Sequence, residues 1–190
     1  MLYLVTGLVL FLGVHSLSIF SESLRDRLVT RLGFWPFKGL YTMVALAGLT
    51  LIVIGYGQAR MDPIYLYHLP SWLRHVGMGL MLVVFPALLA AYFPGRIHSM
   101  LKHPMLVAVK AWALAHLLVN GTLAGILLFG GFLAWAVADR ISMKRRRQRS
   151  IPQFPHSVFN DWIVVAAGLL LMLAFVFWLH LLVIGVPAIR

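Results

Sequence analysis

The sequence predicts an all-α polytopic membrane bundle of six transmembrane helices, and three observations point to it. Of the 190 residues, 62% are hydrophobic and 11% charged, whereas a soluble domain carries about 25% charged residues. Six apolar segments recur along the chain at lengths near the ~20 residues that cross a bilayer. Lys and Arg gather in alternate connections between them. In lipid every backbone N–H and C=O must be satisfied internally, so these segments are helices. The length accommodates one membrane domain, residues 1–190, with no soluble domain beside it.

The first segment, Leu2–Phe20, follows a start with no basic region and no small-residue cleavage site, so it is expected to remain as a span. The second is Gly39–Ala59. The third, Trp72–Tyr92, contains Pro86, where a kink is expected. The fourth and fifth, Met105–Asn120 and Thr122–Ala138, are short for spans and are parted only by the turn dipeptide Asn120-Gly121, which predicts a tight helical hairpin. The sixth is Trp162–Val186. Trp35, Trp72, Tyr92 and Trp162 stand at segment ends, where amphipathic rings favour the headgroup level.

The formal charge of +11 could suggest a nucleic-acid partner, but its distribution says otherwise. With alternating helices, twelve Lys and Arg fall on one side and three, Arg60, Arg74 and Arg190, on the other. That asymmetry places the connections after segments one, three and five in the cytoplasm and both termini in the periplasm, across an inner membrane. The run Lys144–Arg149 reads as an anchor against anionic lipid, and no nucleic acid is expected. The chain has no Cys, which excludes disulfides, thiolate zinc sites, Cys-ligated iron–sulfur clusters and covalent c-type haem.

Ionisable side chains inside a span are costly and by default face the bundle interior. His15, Lys110, His116 and His180 are in this position. Trp112, His116 and Asn120 recur every four residues and share a helix face. Lys110 stands ~240° around the helix from His116 and is expected to snorkel toward the cytoplasmic headgroups. His116 reads as a ligand, with Trp112 packing on a flat cofactor and Asn120 on its polar rim, or equally as part of a polar helix contact. Two neutral imidazoles from different helices hold haem b where no thiolate exists. Depth along the helices leaves the pairing open: His116 is ~20 Å from its cytoplasmic end and His15 ~9–15 Å from its own. His116 with His180 is a competing pair.

Four segments carry a family resemblance. They are Gly13-Val14-His15-Ser16 with Ser23-Leu24-Arg25; His103-Pro104-Met105 through Trp112-Ala113-Leu114-Ala115-His116-Leu117 and Asn120-Gly121; Ala138-Asp139-Arg140; and Ser150-Ile151-Pro152. In this order and spacing the chain resembles the NnrU family of bacterial membrane proteins, whose plant and cyanobacterial relative is 15-cis-zeta-carotene isomerase. The resemblance implies a haem b on His15 and His116. It also implies either redox-dependent isomerisation of a polyene lipid or a nitrogen-oxide, denitrification-linked role. A further histidine that the isomerases carry near the end of the second span has no match here, where the chain reads Tyr56-Gly57-Gln58. Two axial imidazoles leave no open position on iron, so either chemistry needs one ligand to leave. The contrasting expectation is a non-catalytic accessory protein for assembly or regulation of a respiratory reductase, its histidines serving as interhelical glue.

Overall fold

The structure, a computed structural model, describes residues 1–147, 149 and 151–188. Ser150, within one of the resemblance segments, and Arg190, in the charge count, lie outside the described residues. In chain order the helices are α1 Leu2–His15, α2 Leu17–Phe20, α3 Glu22–Leu32, α4 Phe34–Ala59, α5 Leu73–Ala90, α6 Arg96–Leu101, α7 Pro104–Leu117, α8 Leu123–Ser142 and α9 Asn160–Ile184. No strand occurs among the described residues, only an isolated bridge between Tyr65 and Thr122. Four helices, α4, α5, α8 and α9, are long and apolar enough to cross a membrane, and α1 and α7 are shorter apolar helices. At 14 residues each, α1 and α7 rise ~21 Å against a hydrocarbon core of ~30 Å.

Local hydrogen bonding explains why those two end early. The first segment was expected to run through Phe20 as one helix, but it breaks at Ser16. There the N–H is shared between Leu12 O and Gly13 O, the tightened end of a helix, and α2 restarts from the Ser16 carbonyl. Helix α7 stops at Leu117 because Asn120 turns back on it: the backbone N–H and the side-chain Nδ2 of Asn120 both donate to His116 O, at 2.8 and 3.0 Å. The next helix opens with Thr122, whose hydroxyl accepts from Gly125 N at 3.1 Å. Asn120-Gly121 is thus a break, as its composition predicts. Helices α8 and α9 each carry one π-helical turn, at Ile126–Gly130 and Phe175–Leu179. Helix α9 ends before Gly185, which takes the left-handed conformation at φ 78°.

The chain divides into two compact units by the contacts its helices make. Unit 1 comprises Met1–Leu66 and Thr122–Gln148, and unit 2 comprises Tyr67–Gly121 and Arg149–Arg190. The division falls at the Gly121–Thr122 turn, so α7 finds its packing partner, α5, in unit 2, and α8 finds α1 in unit 1.

Unit 1 is built on a seam of small residues. Leu4, Gly7 and Leu8 of α1 are buried, as are Gly48, Ile52 and Gly55 of α4. A Cβ on Gly7 would lie 2.6 Å from Ile52 N, and one on Gly48 would lie 2.7 Å from Phe11 N. One on Gly55 would run into the Leu4 backbone. Between helices in lipid there is no hydrophobic gain from association, so such backbone contact supplies the attraction through close packing. Helix α8 joins through Leu12 against Gly131 and Phe11 against Phe132, ring centroids 5.6 Å apart.

Unit 2 packs by larger side chains and a different close approach. Val84, Ala87 and Ala108 form a buried cluster under Met81, Val107, Ala111 and Trp112. Helix α5 continues through Pro86, and Gly168 of α9 sits against it, a Cβ there falling 2.7 Å from Pro86 N. Asp161 accepts from Arg96 N and Ile97 N at 3.0 and 2.9 Å and so caps α6 from another helix. Asn160 Nδ2 donates to Pro94 O and Pro155 O, which ties the connection before α9 to the end of α5.

Candidate functional site

In unit 1, His15 is the last residue of α1 and is half-buried. Its Nδ1 lies 2.6 Å from Phe11 O, one turn back. A carbonyl only accepts, so Nδ1 carries the proton and, in the neutral ring, Nε2 carries the lone pair. Three aromatic rings from three helices enclose the imidazole. Phe11 stacks on it at 4.3 Å, Tyr41 of α4 meets it edgewise at 5.3 Å, and Trp135 of α8 stands at 88° to it at 6.1 Å.

One turn beyond Trp135, Asp139 is buried and receives Arg146 Nη2 at 2.6 Å. A buried carboxylate is tolerated only when it is paired and hydrogen-bonded, and here an arginine from the basic run supplies the countercharge. Arg146 therefore folds inward while Lys144, Arg145, Arg147 and Arg149 are exposed. Tyr41 lies within the electrostatic reach of Asp139.

In unit 2, His116 repeats the device of His15. Its Nδ1 donates to Trp112 O at 2.9 Å, again one turn back, and the Trp112 ring tilts over the imidazole at 5.3 Å and 51°. Trp112 also packs on the Val84–Ala87–Ala108 cluster, so it is a core residue as well as a neighbour of the histidine. Asn120, expected on a cofactor rim, gives its amide to the His116 carbonyl and so closes the helix end. Tyr67 Oη donates to Leu117 O at 2.9 Å and secures the same turn. His180, the competing ligand, directs Nδ1 to Val186 O at 2.7 Å beyond its own helix, lies edgewise to Phe175 at 5.8 Å, and is within electrostatic reach of His116. The π-helical turn Phe175–Leu179 immediately precedes it, a local widening of a kind frequent at functional positions.

Lys110 is half-buried on α7. His98 bonds Ala90 O at 2.7 Å and ties α6 to the end of α5, and His103 is the residue before Pro104 at the start of α7. The sequence reading did not single out Phe11, Tyr41, Trp135 or Tyr67. Phe11 was within reach of that reading, since a residue four positions before a helical histidine stands on its face. Tyr41 and Trp135 come from other helices and announce themselves by no local spacing.

The family model described as NnrU protein matches residues 3–188. The chain belongs to the NnrU family. The match covers all the resemblance segments, and thus the residues around His15 in unit 1 and around His116 in unit 2 alike. No curated protein and no solved structure matches this NnrU chain.

Proposed function

We propose that this NnrU protein binds haem b in the inner membrane, that His15 and His116 would hold its iron, and that its six apolar helices all span, leaving both termini periplasmic. The observation that carries this reading is the shared backbone device. Both histidines have Nδ1 committed to the carbonyl four residues earlier, which fixes the tautomer and turns Nε2 into the coordinating nitrogen. Metal-binding histidines characteristically give their other ring nitrogen to such an acceptor. The donor set fits a porphyrin iron: neutral imidazoles, no thiolate, and walls made of aromatic and aliphatic side chains. His180 has its Nδ1 bound as well, but to a carbonyl outside its helix, and it belongs to none of the segments that carry the resemblance.

When bound, haem would supply a one-electron redox change and a Lewis-acidic iron. The protein's own residues do the rest. Phe11 O and Trp112 O set the ring orientations, Asn120 and Tyr67 hold the end of the helix that carries His116, and the rings of Phe11, Tyr41 and Trp135 pack around His15. The chemistry served is redox-dependent isomerisation of a polyene lipid or handling of a nitrogen oxide, the two roles the family resemblance implies. A pyridine haemochrome assay on detergent-purified protein, with reduced-minus-oxidised spectra of His15→Ala, His116→Ala and His180→Ala, tests the reading. Haem b in the wild type, lost or spectrally altered in the first two variants and retained in the third, is expected. A wild type devoid of haem, or His15→Ala and His116→Ala spectra that match it, would sink the assignment. Haem-free protein that folds normally and co-purifies with a reductase would instead establish the accessory role.

A further inference from the structure

The enclosure of His15 holds one polar group that the described protein leaves without an answer. Trp135 Nε1 is buried and meets no hydrogen-bond acceptor among the described residues. An indole N–H donates and does nothing else, so no rearrangement of its own proton can satisfy it. In the hydrocarbon region bulk water is not at hand to stand in for the missing acceptor. Buried polar atoms in native proteins are paired as a rule, so an exception at this place asks for a cause. Of the neighbouring polar groups, His15 gives Nδ1–H to Phe11 O and Asp139 Oδ1 receives Arg146 Nη2. Trp135 faces His15 across a right angle at 6.1 Å and lies one helical turn from the Asp139–Arg146 pair. It therefore stands between the proposed iron ligand and the basic end of α8.

Building on the haem reading above, we propose that Trp135 Nε1–H donates to a carboxylate on the porphyrin edge, which makes Trp135 a cofactor-binding residue of the unit 1 site. A carboxylate accepts only, matches a donor-only group, and forms the stronger, charge-assisted class of hydrogen bond. Its position also suits such a group. His15 terminates α1, and α8 runs on from Trp135 into the cation-rich segment Lys144–Arg149, so a ring held at His15 would have its acidic edge near positive charge.

The test is W135F, which keeps an aromatic ring against His15 and removes only the donor and the second ring. In haem-loaded protein, transfer of haem to apomyoglobin is expected to run about tenfold faster, the effect of one charge-assisted hydrogen bond. The midpoint potential is expected to fall, because a carboxylate that no longer shares its charge favours ferric iron. Ultraviolet resonance Raman difference spectra, wild type minus W135F, are expected to show the indole marker shifted to the hydrogen-bonded position only when haem is present. In haem-free protein W135F is expected to lose only the packing of the second ring and so to be destabilised less than the haem-loaded protein, since the N–H removed had no partner there. An unchanged transfer rate and potential in W135F would overturn the proposal. So would an equal loss of stability in the haem-free and haem-loaded forms, which would mark Trp135 as packing alone. A wild type without a Soret band would remove the haem reading itself, a result distinct from a haem-loaded W135F that behaves like its parent.

Discussion

His15 and His116 are held by the same backbone contact, an Nδ1–H given to the carbonyl one turn earlier, yet their surroundings differ. Around His15 the contacts come from three helices, Phe11 of α1, Tyr41 of α4 and Trp135 of α8, all of unit 1. Around His116 stand Trp112 before it and Asn120 after it on its own segment, with Tyr67 tying down the end of that helix and His180 within electrostatic reach. The difference teaches that ring orientation is local and cheap to specify, whereas the environment that tunes a histidine is tertiary. Unit 1 must be assembled before His15 has its walls. Two of the fixtures of His116, Trp112 and Asn120, are encoded within four residues of it.

That contrast can be broken at its strongest point by Gly48→Leu. The side chain would enter the α1–α4 seam where even a Cβ meets Phe11 N at 2.7 Å, and α1 carries both Phe11 and His15. Overpacking of this kind costs about 3 kcal/mol or more, so monodisperse protein is expected to be lost on size-exclusion chromatography. Asp139→Ala follows. It leaves Arg146 without its buried partner at a cost of about 3 kcal/mol, to be read as a lowered melting temperature in detergent. Partial recovery is expected in the double variant Asp139→Ala with Arg146→Met, because that removes the stranded charge as well.

Asn120→Ala and Tyr67→Phe address the His116 end. Each deletes one hydrogen bond to a helix-terminal carbonyl and is expected to cost about 1 kcal/mol. Their effects should be smaller than those of the unit 1 variants and less than additive, since both groups hold one turn. The smallest effect is expected for Lys110→Gln, within about 0.5 kcal/mol of the parent, since Lys110 makes no hydrogen bond or ion pair among the described residues and its place on α7 suits snorkelling. A larger loss there would mean that Lys110 has an internal role and would bring unit 2 closer to unit 1 in its dependence on tertiary contacts.

Much of the helical layout was legible in the chain because apolar runs and turn dipeptides act locally. Asn120-Gly121 ended α7 as its composition predicts, and the two helices it separates belong to different units. Segment lengths were less legible. The run from Leu2 to Phe20 is continuously apolar, and the break at Ser16 arises from a shared N–H that hydropathy does not register. Among the described residues four helices are long enough to cross by themselves, while α1 and α7 are cut short by these hydrogen bonds. Of the candidate site, the histidines were visible as costly residues in apolar surroundings. Tyr41 and Trp135 were not, since a tyrosine or tryptophan in a membrane helix is unremarkable until its neighbours from other helices are known.

Arg146 has a consequence for how the basic segment counts. During insertion, each Lys and Arg from Arg140 to Arg149 weighs on which side the chain leaves behind, because no folded partner yet exists. In the finished protein Arg146 is turned in to Asp139, so the exposed face of this segment carries one cation fewer than the sequence advertises. The charge that decides orientation and the charge that meets the membrane afterwards are therefore separate quantities. A substitution at Asp139 changes the second and leaves the topogenic signal alone.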